Sequence, residues 1–120
     1  MKVRLTKDFG FESAHRLSRA RKGHHCRELH GHSFNVEISV EGEVDQKNGW
    51  IYDHARISEA VEPVLQRLDH HYLNEIPGLE NPTIENIALW LWKRLSPSLS
   101  GLVEVVICET SKVRASYRGE

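Results

Sequence analysis

The stretch SFNVEISVEG, residues 33–42, alternates polar and apolar side chains without a break. Phe34, Val36, Ile38 and Val40 fall on one face, and Asn35, Glu37, Ser39 and Glu41 on the other. That is the period of a strand with one buried face. Such a strand belongs to a sheet with one face packed and one face wet, which is the habit of antiparallel pairing.

Upstream, Val3, Leu5, Phe9 and Phe11 predict a first strand, with an irregularity near Thr6 to Asp8. Between the two strands lies RLSRARKGHHCRELHG, residues 16–31, polar, basic and read as a loop. Downstream, EVDQKNGW (43–50) carries turn residues and ends the second strand. After Asp53, a good N-cap, the period changes, and Ile57, Val61, Val64, Leu65 and Leu68 lie at helical spacing. Pro63 inside that pattern predicts a kink or one lost backbone bond. Thr83 is a suitable N-cap for a second helix, with Glu85 in its first turn, where the helix dipole favours a carboxylate. Ile84, Ile87, Ala88, Leu91 and Leu95 form its apolar stripe. LVEVVICE (102–109) and VRASYR (113–118) read as third and fourth strands.

The order ββααββ predicts an α+β domain over residues 1–120, an antiparallel sheet with both helices on one face. Four strands leave two open edges, which invite pairing with another chain.

Composition excludes several classes. The chain has 120 residues, 39% hydrophobic and 28% charged, with a net charge of −1. That balance argues against an electrostatic nucleic-acid binder. No apolar run reaches the ~18 residues of a membrane span, and MKVRLTKDFGFESAH is not a secretory signal. The expectation is a cytoplasmic protein in which Cys26 and Cys108 stay reduced, free for metal binding or catalysis.

His30 and His32 stand two apart at the start of the second strand, so both imidazoles face one side. His15, at the end of the first strand, is the candidate third ligand, since neighbouring strands lie about 5 Å apart. Three neutral imidazoles with an open fourth position suit a catalytic zinc. Cys26 is open to two readings: a fourth ligand that closes a structural site, or a base or nucleophile beside the metal. His24 and His25 read as solvent-facing.

A second constellation follows the first helix. Asp69 beside His70 can orient an imidazole and stabilise its charged form, although adjacent residues seldom hydrogen-bond well. Glu109, directly after the apolar run Val105 to Cys108, is a candidate for binding paired N–H donors on a ligand. Trp50, Trp90 and Trp92 read as core or interface residues.

Taken together, FESAHRL, CRELHGH, GWIYDH, LDHHYLNEIPGLENPTIEN, ICET and YRGE resemble the 6-pyruvoyltetrahydropterin synthase superfamily over nearly the whole chain. The cysteine four residues ahead of the first histidine of the HGH triplet resembles the branch that makes 6-carboxytetrahydropterin in the queuosine pathway. The resemblance implies zinc on His15, His30 and His32 and Cys26 as catalytic proton acceptor. It implies His70 with Asp69 as proton relay, and Glu109 as pterin anchor counted with that relay. Thr83 and Glu85 match a segment that approaches the pterin. The implied fold is the tunnelling fold, whose sheets join across subunits into barrels, commonly two stacked trimers with active sites at the interfaces. The implied reaction turns 7,8-dihydroneopterin triphosphate into 6-carboxytetrahydropterin, acetaldehyde and triphosphate. Elimination of triphosphate without carbon–carbon cleavage is the rival within the superfamily. A non-catalytic zinc module with Cys26 and three histidines is the rival outside it. Two departures stand out: His54 replaces a usual phenylalanine, and His25 a frequent lysine.

Overall fold

The computed structural model describes residues 1–17, 23 and 28–120. Four strands, β1 (Lys2–His15), β2 (His30–Glu43), β3 (Leu102–Thr110) and β4 (Val113–Tyr117), form one antiparallel sheet in that order. Two helices, α1 (Ala55–Gln66) and α2 (Ile84–Leu95), lie between β2 and β3 in sequence, as the ββααββ reading requires. A single 3₁₀ turn, Leu73–Glu75, sits between them.

The core is the contact of two apolar stripes. Phe11, Phe34, Val36, Ile38, Val105 and Ile107 face inward from the sheet, and Ile57, Val61, Leu65, Ile87, Leu91 and Leu95 from the helices. Phe34 is stacked on Phe11 across the strand pair, ring centroids 4.8 Å apart. Truncating such a side chain to alanine costs about 3–5 kcal/mol.

The expected irregularity near Thr6 to Asp8 is absent. Thr6, Lys7 and Asp8 pair with Ser39, Ile38 and Glu37 in unbroken register. Lys7 interrupts the apolar alternation without breaking the pleat, because its amine reaches out to His54 Nδ1 at 3.2 Å. Thr6 and the buried Ser39 satisfy each other through their hydroxyls, 2.7 Å apart. Irregularities occur instead against β3: one between Ser39 and Val40, and one between Cys108 and Thr110.

Thr83 caps α2 as expected, but the N-cap of α1 is His54 rather than Asp53, which lies one residue further out and still reaches the first N–H of the helix. The Asp53 carboxylate accepts from the Ala55 N–H at 2.9 Å, and the Thr83 hydroxyl from the Asn86 N–H at 3.1 Å. Pro63 is accommodated inside α1.

One expectation about the edges is corrected. The outer edge of β1 is open only over its first part. After α1 the chain returns along β1, and His70 N–H bonds to the Glu12 carbonyl. Ala14 N–H bonds to the His71 carbonyl at 3.2 Å, and Glu12 N–H to the Asp69 carboxylate at 2.8 Å. The Asn74 side chain then closes on Arg16, accepting from its N–H at 2.9 Å and donating to its carbonyl at 2.8 Å. The second constellation is therefore fastened to β1 through backbone groups that an edge strand leaves free.

Candidate metal centre

The inward stripes of β1 and β2 do not end in apolar residues. Phe11 and Ser13 lead to His15, and Phe34 is preceded on its own face by His32 and His30. The strand register sets His15 opposite His30 and Ser13 opposite His32. All three imidazoles thus converge at one end of the core, with ring centroids 4.5, 5.4 and 4.8 Å apart. Phe34 packs edge-on to His15 and His32 and forms the floor of the group.

Two of the rings are oriented by backbone carbonyls. His15 Nδ1 lies 2.8 Å from the Pro82 carbonyl, and His30 Nδ1 2.8 Å from the Glu28 carbonyl. A carbonyl only accepts, so each Nδ1 carries the proton and each Nε2 presents a lone pair. That tautomer and that kind of partner characterise histidine ligands of metals.

Glu109 joins the group from β3. Its Oε1 is 3.2 Å from His15 Nε2 and 3.2 Å from His32 Nε2. The β3–β4 irregularity falls at this residue, and such bulges re-aim a side chain beside a functional site. Ligand atoms of His15, His30, His32 and Glu109 all lie within 4.8 Å of one another.

A lone pair and a carboxylate oxygen at 3.2 Å repel unless a cation lies between them. A proton is one candidate, but burial pushes the His15 pKa down, assisted by His30 and His32 and opposed by the Pro82 bond and Glu109. Burial also lowers His32, opposed by Glu109. Protonation is therefore disfavoured where a positive charge is wanted. The His15 Nε2 atom is fully buried and lacks a hydrogen-bond partner. A metal ion resolves both facts. Two ligand atoms about 2.1 Å from a tetrahedral zinc stand about 3.4 Å apart, close to the spacing found here. The residues fit a bound metal.

Asp69 and His70 form a separate cluster. His70 Nδ1 is 3.0 Å from Asp69 Oδ2, so the adjacent pair does meet, contrary to the usual geometry of neighbours. The reason is the backbone. His70 is the sole non-glycine residue with positive φ among the described residues, at 57°. Such backbone is uncommon outside glycine and gathers at functional sites. The Glu12 backbone N–H, then the His70 ring, hold the Asp69 carboxyl below its usual range. His70 and His32 both line a cleft of about 540 Å³ with Glu12, Gly31, Ser33 and Tyr72.

Thr83 has a structural task as the cap of α2, and Glu85 is exposed in its first turn. The same segment reaches the metal group through the Pro82 carbonyl. Cys26, His24 and His25 lie outside the described residues. Trp90 is buried and Trp92 half-buried against Tyr117, whereas Trp50 is 45% exposed. His54 lies at the start of α1 in contact with Lys7. Among the described residues, no helix is long and apolar enough to cross a membrane.

An antiparallel four-stranded sheet backed by two helices defines a tunnelling-fold protein, and the oriented imidazoles at the end of its core have the spacing to hold a metal ion. The chain belongs to the 6-pyruvoyl tetrahydropterin synthase family, whose model matches residues 4–120. It is 37% identical over 122 residues to the 6-carboxy-5,6,7,8-tetrahydropterin synthase of Synechocystis, covering 94% of this chain and 91% of that one. It is 41% identical over 105 residues to the dihydroneopterin monophosphate aldolase of Pyrococcus furiosus, covering 88% of this chain and 85% of that one. The solved 6-pyruvoyl tetrahydropterin synthase of Caenorhabditis elegans superposes with a TM-score of 0.91 at 27% identity, covering 100% of this chain and 97% of that one.

Proposed function

We propose that this protein acts as a zinc-dependent 6-carboxy-5,6,7,8-tetrahydropterin synthase in the cytoplasm, within queuosine biosynthesis. The substrate is 7,8-dihydroneopterin triphosphate, and the products are 6-carboxytetrahydropterin, acetaldehyde and triphosphate. Atom balance consumes one water. One observation carries the reading: an oriented, metal-ready histidine group in a chain that aligns over 94% of its length with a relative of that name.

His15, His30 and His32 hold the zinc. When bound, it supplies a Lewis acid that polarises substrate oxygens and stabilises developing negative charge. Cys26, as thiolate, accepts a proton from the substrate side chain. His70, oriented by Asp69, exchanges a proton on the other side. Glu109 accepts two N–H bonds from the pterin edge, a planar match that fixes orientation. Thr83 and Glu85 flank the pterin from the start of α2.

The protein works as a hexamer built from two trimers, with active sites at the interfaces. The pleat supports a shared site. Glu12 and Ser33 project from the sheet face opposite His15 and His32, and His70 turns toward Glu12. His70 and His32 of one chain line one open cleft, and a second copy is what closes it.

The Pyrococcus relative favours a second reading, an aldolase acting on a dihydroneopterin phosphate. Retro-aldol cleavage of the same side chain would release a phosphorylated two-carbon aldehyde, not acetaldehyde. Incubation of the zinc-loaded protein with dihydroneopterin mono- and triphosphate separates the two. Acetaldehyde from the triphosphate supports the first reading. A phosphorylated aldehyde supports the second, and accumulated 6-pyruvoyltetrahydropterin would point to triphosphate elimination alone.

A further inference from the structure

Asn86 has no role in the reading above, yet it ties the first turn of α2 to the segment that orients a metal ligand. Its backbone N–H donates to the Thr83 hydroxyl at 3.1 Å, and its side-chain amide donates to the Asn81 carbonyl at 2.8 Å. The Thr83 N–H donates to the same Asn81 carbonyl at 2.9 Å. Residues 81–83 are thereby closed into a three-residue turn with Pro82 at its centre, where the pyrrolidine ring fixes φ. The carbonyl of that buried proline meets His15 Nδ1 at 2.8 Å.

The residue type is what the place demands. In a common helix start, the side chain at this position accepts from the N–H of the cap residue. Here that N–H is already bonded to Asn81, and the Asn81 carbonyl can only accept. The side chain at 86 must therefore bring an N–H of its own, which asparagine has and aspartate lacks. The consequence reaches His15. Two acceptors compete for its ring proton, the Pro82 carbonyl at Nδ1 and Glu109 Oε1, which is 3.2 Å from Nε2. Only the first arrangement leaves the Nε2 lone pair free for a metal.

We infer that Asn86 is a positioning residue for the metal group: its amide pins the 81–83 turn so that the Pro82 carbonyl holds His15 with Nε2 presented. This rests on His15 being a zinc ligand, as proposed above.

Asn86→Asp separates this role from helix stability. It keeps the size of the side chain, and a carboxylate in the first turn suits the helix dipole, but it has no N–H for Asn81. Asn86→Ala also lacks the N–H and gives the same comparison without the added charge. The experiment measures zinc retention by the loaded protein against a competing chelator, and solvent exchange of the His15 Nδ1–H by NMR. Wild type is compared with Asn86→Asp, Asn86→Ala, Asn86→Gln and Thr83→Ala, with a thermal melt of each. In Asn86→Asp and Asn86→Ala, zinc affinity falls about tenfold, as expected for losing support behind a metal ligand, and the Nδ1–H exchanges faster. Asn86→Gln, which keeps an amide N–H, recovers part of both. Thr83→Ala melts at a lower temperature and keeps zinc affinity close to that of wild type, because the amide bond to Asn81 remains. Wild-type zinc affinity and Nδ1–H exchange in Asn86→Asp and Asn86→Ala overturn the inference. So does an equal loss of zinc affinity in Thr83→Ala, which would trace the effect to a loosened helix start. Wild type that binds no zinc would sink the functional reading, while the Nδ1–H exchange still decides for or against Asn86.

Discussion

His15 concentrates the chemistry of the site in one side chain. It is fully buried, its Nδ1 is spoken for by Pro82, and its Nε2 faces a carboxylate without a proton to share. Its pKa is lowered in the fold, so the unfolded chain binds the proton more readily, and stability rises with pH. The metal-free protein should therefore lose stability as pH falls below about 6.5, the ordinary histidine value. Urea melts between pH 8 and 5 check this, and a flat profile would contradict it. Protons compete with metal for the same lone pairs, so zinc affinity should weaken across the same window.

Glu109 supports two roles, pterin anchor or fourth ligand. We expect Glu109→Ala to retain zinc and to lose turnover by at least about 100-fold, since an orienting group is removed. Zinc quantification after gel filtration decides; a loss of metal in step with activity makes Glu109 a ligand. Cys26→Ala should likewise keep zinc and lose turnover, whereas loss of metal and stability together would mark a closed structural site.

At the level of elements, pattern carried most of the fold. Residue type at i and i+2 on a strand suffices to bring His30 and His32 together, and strand order then supplies His15. The orienting carbonyls of Pro82 and Glu28 were not legible, because any residue can offer a carbonyl. Nor was the aim of Glu109, which depends on a bulge between β3 and β4. The docking of residues 68–74 on β1 joins segments more than fifty residues apart, and no local pattern encodes such a pairing. Asn74 is the clearest case, a polar residue of the 3₁₀ turn whose side chain bonds both the N–H and the carbonyl of Arg16. Asn74→Ala should cost about 1–2 kcal/mol and speed amide exchange at Arg16. Exchange at Arg16 unchanged from wild type would deny the bond its role. Thr83 tests the boundary between structure and binding. Thr83→Ala should lower stability by about 1 kcal/mol, and Thr83→Ser should restore it. A KM that rises in Thr83→Ser while stability is intact would indicate a substrate contact beyond the cap.

Over the whole molecule, the sheet separates two surfaces. The inner face holds the core and ends in the metal group. The outer face carries ion pairs such as Arg118 with Glu104 and Arg114 with Glu37. The remaining free edge of β1, before Glu12, and the outer edge of β4 are the places for strand pairing between copies. The reading of a shared active site requires such an assembly. Its central claim is that the histidine group at the end of the core holds zinc for carbon–carbon cleavage of a pterin side chain. The most direct measurement is the product assay with dihydroneopterin triphosphate, run on zinc-loaded protein and on protein stripped by a chelator. The account predicts acetaldehyde and 6-carboxytetrahydropterin in equal amounts, absent after stripping and restored by zinc. Cleavage that persists without metal, or zinc-loaded protein that yields no acetaldehyde, would contradict it.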